Sequence, residues 1–190
     1  MTKRILLLVL LLLMPAGGSF ALADEVRSPG LLVYINPGEY TYETRIGVPP
    51  YYSVWIMKGP ILEMAAMKAI KPYFEHAGLC HGSDVSDIIV WLIPQLTYNP
   101  LVGRYYAQVR AQFHLGNAKH MATLKATGHY DGFIGSSYAT NQAQLAFEAA
   151  MQDIMQQYAA DTRLQEAVRS AVSSDVVGAP CALVGMIPNP

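Results

Sequence analysis

Residues 104–115 read RYYAQVRAQFHL, from Arg104 to Leu115. Tyr105, Ala107, Val109, Ala111, Phe113 and Leu115 share one parity; Tyr106, Gln108, Arg110, Gln112 and His114 share the other. Successive side chains of a strand point to opposite faces, so this alternation predicts an antiparallel strand with one buried and one wet face. Gly116-Asn117 is turn chemistry, and a further strand is predicted from Lys119 to Tyr130. There Ala122, Leu124 and Ala126 face inward, while Lys119, Thr123, Lys125 and Thr127 face outward. Upstream, Ile88 to Tyr98 completes three strands in sequence.

The first of these strands is apolar on both sides. Ile88, Val90 and Leu92 face one way, and Ile89, Trp91 and Ile93 face the other. Such a strand is either covered twice or leaves an adhesive patch. One reading covers it with the N-terminal segment or the C-terminal tail; the other makes Ile89, Trp91 and Ile93 a candidate partner interface. Pro94 supplies no N–H to a ladder, which predicts an edge or a bulge at that point.

Helices flank the three strands. Over 60–77, Ile61, Ala65, Ala69 and Tyr73 form one row at i, i+4 spacing, and Leu62, Ala66, Ile70 and Phe74 form the next. Pro60 suits a first turn and Gly78 a C-terminal stop, and Pro72 should kink the helix or end it early. A second helix is predicted over 141–159, with Asn141 and Gln144 as a capping box and a stripe of Leu145, Ala146, Ala149, Ala150, Ile154, Met155 and Tyr158. A break at Asp161-Thr162 leads into a short helix through Leu164, Ala167, Val168 and Ala171. Nearer the N-terminus, Leu31 to Ile35 reads as a strand and Asn36-Pro37-Gly38 as a turn. Alternation of Tyr40, Tyr42 and Thr44 predicts a second short strand, and Tyr52 to Met57 an extended piece after Pro49-Pro50. The expected fold is α+β: an antiparallel sheet of about four strands, in the order β-α-β-β-β-α, with two main helices packed on one face and a short C-terminal helix.

The first 23 residues read as a cleavable signal peptide. Lys3 and Arg4 precede an unbroken apolar run of ten residues, Ile5 to Met14. Pro15, Gly17 and Gly18 break it, and Ala21-Leu22-Ala23 forms a small-x-small site, placing cleavage between Ala23 and Asp24. The alternative is an uncleaved anchor, but a membrane span takes roughly 20 apolar residues. The organisation expected is therefore 1–23 signal peptide, 24–59 an N-terminal extended segment, 60–172 the α+β core and 173–190 a tail.

Beyond the signal, 11 Lys and Arg stand against 14 Asp and Glu, a net charge of −3 over 167 residues. That suits one domain with a real core and argues against nucleic acid as a partner. Both cysteines, Cys80 and Cys181, lie in this part. In an oxidising compartment they favour one disulfide; the alternative is two buried free thiols.

Motifs for catalysis are sparse. The sequence has no His-Glu-x-x-His, no phosphate-binding glycine loop and no Gly-x-Ser-x-Gly elbow. Ser136 and Ser137, as nucleophiles, have no evident base. His114 and His120 flank a hairpin turn, but two imidazoles without a third ligand make a weak metal site. Asp84, Asp87 and Asp131 show no spacing that points to acid–base work. No catalytic residue, cofactor or metal is expected.

From about Pro60 to Ala171 the order of elements resembles small envelope proteins of Gram-negative bacteria: the YajG-type lipoproteins and, more distantly, the auxiliary lipoproteins of ABC-type lipid transport systems. The stretches that carry it are Asp87-Ile88-Ile89-Val90, Arg104-Tyr105-Tyr106, and the run from His129-Tyr130 through the 141–159 helix to Tyr158-Ala159-Ala160-Asp161-Thr162. The resemblance implies a periplasmic, non-enzymatic accessory protein that associates with another envelope protein or complex. Those families carry a lipid-modified cysteine after the signal, where this chain has Asp24, so the tether is a point of departure. The role expected is a soluble or peripherally membrane-associated scaffolding protein of the periplasm. The alternative is a carrier of a small apolar ligand or lipid.

Overall fold

The computed structural model describes residues 30–48, 52–135, 138–172 and 180–187. The expected signal cleavage at Ala23 and Asp24, and the loop serines Ser136 and Ser137, lie outside the described residues. In chain order the elements are β1 (Leu31–Ile35), α1 (Gly38–Thr41), β2 (Glu43–Val48), β3 (Tyr52–Met57), α2 (Lys58–Ile70), β4 (Ala77–Leu79), β5 (Ile88–Asn99), β6 (Arg104–Leu115), β7 (His120–Asp131), α3 (Ala139–Ala160), α4 (Thr162–Val172) and a 3-10 helix (Cys181–Met186).

The α+β class stands, with corrections to the sheet. It has five strands in the order β4-β1-β5-β6-β7, rather than about four, it is mixed, and the chain order is β-α-β-β-α-β-β-β-β-α-α rather than β-α-β-β-β-α. β5, β6 and β7 form an antiparallel meander, but β1 runs parallel to both β4 and β5. The connection from β1 to β4 contains α2, which is what a parallel crossover requires. β2 and β3 pair only with each other; through Ile46 and Ile56 this hairpin joins the main core.

Local chemistry explains where the remaining boundaries fell. α2 ends at Ile70, with Lys71 as its C-cap, because Pro72 cannot continue it. The segment expected to prolong the helix instead supplies β4, and Gly78 lies in that strand rather than at a helix stop. Tyr40 is in the α1 turn, not a strand; its hydroxyl donates to Glu63 Oε2 at 3.0 Å, and Lys58 reaches Glu39 at 2.9 Å beside it. The capping box is also corrected: α3 begins at Ala139, so Asn141 is inside its first turn and Gln144 bonds Glu148 instead. Asp161 closes α3, and its carboxylate accepts the Leu164 N–H at 3.0 Å, capping α4.

α2 and α3 cover one face of the sheet. Their contact is made close by alanine: Ala65, Ala66, Ala143, Ala146 and Ala150 are all buried. Around them Phe113 stacks on Tyr158 at 5.8 Å, and Phe74 meets Tyr158 at 5.3 Å. Tyr105, Phe147, Met151 and Ile154 fill the layer between sheet and helices. β7 approaches α3 so nearly that a Cβ on Gly128 would overlap the Ala146 carbonyl oxygen and the Ala150 nitrogen. Those are backbone atoms and cannot swing aside. Gly128→Ala is therefore expected to destabilise the fold by about 3 kcal/mol, the upper end of ordinary overpacking. A thermal melt followed by circular dichroism should show a midpoint lowered by about 10 °C.

Candidate functional site: the second face of the sheet

Opposite the helices, the β1–β5 end of the sheet is covered by the 3-10 helix. Ile89, Trp91, Tyr34, Cys181 and Val184 form a second buried cluster, with Ile93 and Ile187 packed at its margin. Trp91 is 5% exposed and Ile89 is fully buried. The expectation of an open apolar interface at these residues is thus corrected: the C-terminal segment covers them. Ile93, half-buried, is the part of the strip that still meets solvent. Pro94 falls one residue beyond Ile93, and β1 pairs only as far as Leu92, so the proline, itself buried, stands where the ladder to β1 ends. There Lys58 donates to its carbonyl at 3.5 Å.

Several contacts hold the cover down. Cys80 and Cys181 form the disulfide, with Cα atoms 5.9 Å apart at a sequence separation of 101. The Cys181 N–H donates to the Asp84 carbonyl at 2.9 Å. Gly185 sits against Tyr34 so closely that a Cβ would overlap the phenol oxygen. Tyr34 in turn meets Trp91 edge-on at 6.0 Å.

His114 lies buried on this same face, where β6 turns into β7. Its Nδ1 pairs with the Ala118 carbonyl at 3.2 Å, which fixes the proton on that nitrogen. Nε2 is buried and has no hydrogen-bond partner among the described residues. A second proton would place a charge there without an acceptor. Burial lowers the His114 pKa from 6.5; the Ala118 carbonyl opposes this, and neighbouring His120, 5.4 Å away, adds to the lowering. His120 bonds Thr123 at 2.9 Å. Among the described residues no three His, Cys, Asp or Glu side chains gather as a metal site.

The rest of this face, across β5, β6 and β7, is open and polar. The register sets its rows: Ile93, Arg110 and Lys125 lie side by side, then Gln95, Gln108 and Thr127, then Thr97, Tyr106 and His129. A hollow of about 420 Å³ lies over the first two rows, with Asp153 of α3 at its margin. Arg110 and Lys125 are cross-strand neighbours, and the hollow they line also has the Asp153 carboxylate in its wall. Both residues were legible as outward-facing, but their adjacency needs the hairpin register.

The other carboxylates make local contacts. Asp84 accepts the His81 N–H at 2.9 Å, and Asp87 accepts that of Gly30 at 3.3 Å. Asp131 makes a two-point ion pair with Arg104. Glu148, nearly buried, was not singled out by the sequence. Burial raises its pKa, but hydrogen bonds from Lys68 at 2.5 Å and Gln144 at 3.1 Å outweigh this and hold it below the usual glutamate range. Its role is to join α3 to α2.

No protein-family model matches the chain, and no curated protein does. Among solved structures, a candidate lipoprotein from Caulobacter crescentus CB15 is similar at 13% identity. The match covers 62% of this chain and 84% of that one, with a TM-score of 0.33. At that score the two share too little geometry for one fold to stand for the other. The YajG-type resemblance therefore remains one of pattern.

Two outcomes test the covered end. Cys80→Ser with Cys181→Ser should cost up to about 4 kcal/mol in urea unfolding, since the disulfide closes a long loop. It should also shift the Trp91 emission to the red; Gly185→Ala should produce that shift with the disulfide intact. The second outcome concerns pH. The unfolded His114 takes its proton near 6.5, while the folded one resists it. Its contribution is whole above that value and is lost as the pH falls through the lowered pKa. The urea midpoint should fall between about pH 7 and about pH 5, and His114→Gln should flatten that slope.

Proposed function

We propose that this protein is a non-enzymatic accessory domain of the bacterial cell envelope, exported to the periplasm, that holds an acidic, extended segment of another envelope protein against the open face of β5–β7. The observation that carries this reading is the half-covered sheet. Helices close one face and the disulfide-held C-terminal segment closes one end of the other. What is left is an open platform with the exposed Lys125 at a 420 Å³ hollow. Gln95, Gln108 and Thr127 in the next row offer donors and acceptors to a peptide backbone. Binding on a rigid sheet carries little ordering cost for the receptor.

The rival reading, a carrier of a small apolar ligand, needs space between sheet and helices. Beneath α2 and α3 that layer is filled by Tyr105, Phe113, Phe147, Met151 and Ile154; the space such a ligand would take is the hollow of about 630 Å³ between β7 and α4, lined by Leu115, Met121, Ala122 and Leu164 among others.

The test is in-cell photo-crosslinking from position 108, followed by mass spectrometry of the adducts. A reproducible adduct with one envelope protein is expected. Its yield should fall on the order of tenfold in Lys125→Glu, where a like charge meets the acidic segment. A folded, exported protein giving no adduct, or an adduct indifferent to Lys125→Glu, would sink the proposal.

A further inference from the structure

We infer that the end of the molecule formed by the β5–β6 hairpin and the segment after β7 is a docking tip for a lipid bilayer. It is separate from the open sheet face and does not depend on the reading given for that face.

Five large apolar or aromatic side chains are exposed at this end: Leu101 (93%), Tyr138 (68%), Phe133 (58%), Val102 (56%) and Tyr130 (40%). They come from two stretches that the fold ties together. The Gly132 N–H donates to the Gly103 carbonyl at 2.8 Å, linking the hairpin to the segment that leads into α3. Gly103 takes a positive φ of 60°, which lets the hairpin turn close with Leu101 and Val102 at its apex. Among the described residues this apolar pair is left largely uncovered.

Charge distinguishes a bilayer from a protein partner here. Residues 99–103 read NPLVG and residues 132–135 read GFIG, without a single charged side chain. The nearest ions are Arg104 and Asp131, and they neutralise each other at the base of the tip in a two-point pair. Hydrogen bonding between them raises the Arg104 pKa and lowers that of Asp131, so both stay charged and paired. A neutral, convex, aliphatic apex flanked by Tyr and Phe matches the gradient from acyl chain to headgroup, where aromatic rings with a polar edge settle. Its two stretches offer no charge for a counterpart.

The placement also fits. Gly30 lies at the opposite end of the sheet, where its carbonyl accepts the Ile88 N–H. Along the twelve residues of β5 the two ends are about 35–40 Å apart. A molecule resting on its tip would hold the chain's entry into the sheet, and the covered end with Cys80–Cys181, away from the lipid.

The experiment is co-sedimentation of the exported protein with vesicles of phosphatidylcholine and, separately, of phosphatidylethanolamine with phosphatidylglycerol. Binding to both is expected, and it should persist at high salt. Leu101→Ser should weaken the partition about tenfold, the worth of one buried leucine, and adding Phe133→Ser should abolish it. Lys125→Glu should leave it unchanged. Circular dichroism checks that the variants remain folded. As a gain-of-signal measurement, Leu101→Trp should add an emission that shifts to the blue with vesicles and is quenched by brominated lipid. Absence of vesicle binding by the folded protein would overturn the inference. So would binding indifferent to Leu101→Ser, binding lost with salt or Lys125→Glu, or a lipid-free dimer that Leu101→Ser dissolves.

Discussion

The structure depends on one ladder. β5 and β6 pair without interruption from Ile88 opposite Leu115 to Asn99 opposite Arg104. Everything else is placed by it. β7 extends it on one side through a second antiparallel pairing, with a single irregularity at Phe113 and His114. β1 joins on the other side over only five residues, Ile88 to Leu92. The ladder therefore has a half that is interior to the sheet and a half whose outer edge begins near Pro94. A proline there removes a donor that no neighbouring strand would have used.

The two faces of this ladder solve different problems. Against the helices the limiting quantity is distance: Gly128 and the buried alanines of α2 and α3 let backbones approach, and aromatic rings fill what remains. On the second face the problem is a strand apolar on both sides. The chain answers it with a short 3-10 helix, too small to hold its place by burial alone, since only Cys181 and Val184 of it are buried. That is why the disulfide falls where it does. A covalent link at the first residue of the cover confines the search of the tail, and Gly185 on Tyr34 sets its orientation.

Much of this was legible locally. The limits of β1, β3 and β6 follow from apolar runs and alternation, and Asp161 marks the change from α3 to α4 in its residue type. What local pattern does not carry is which strand lies beside which. Leu31 to Ile35 reads as a strand, but its parallel place between β4 and β5 is fixed by the α2 crossover. β4, three residues long, is too short to show a period. Trp91 is the instructive residue. The sequence poses its burial correctly as a question, and the answer lies 90 residues away at the 3-10 helix. The Cys80 and Cys181 pair was the signal that connected the two. The Arg110 and Lys125 row was half visible: each residue's parity was clear, and only the pairing of β6 with β7 sets them side by side.

The same register argument explains why the exposed apolar residues collect where they do. Along β5–β7 the outward positions are polar or capped, so solvent meets Gln95, Gln108, Thr123, Thr127 and His129. A sheet edge as long as β7 would invite pairing with another chain if it were apolar; Lys125 sits at its middle and Gln157 already occupies the Lys125 carbonyl at 3.0 Å. Apart from exposed residues of the β2–β3 hairpin and α2 such as Trp55 and Met64, apolar exposure gathers at the two ends of the sheet. At one end the C-terminal cover carries Leu183 and Met186 outward, and at the other stand Leu101, Val102 and Phe133. A chain that guards its longest edge against adhesion while leaving a neutral apolar apex uncovered separates the two kinds of surface by chemistry: the charged rows meet water or a charged partner, and the apex meets a phase in which charge is costly.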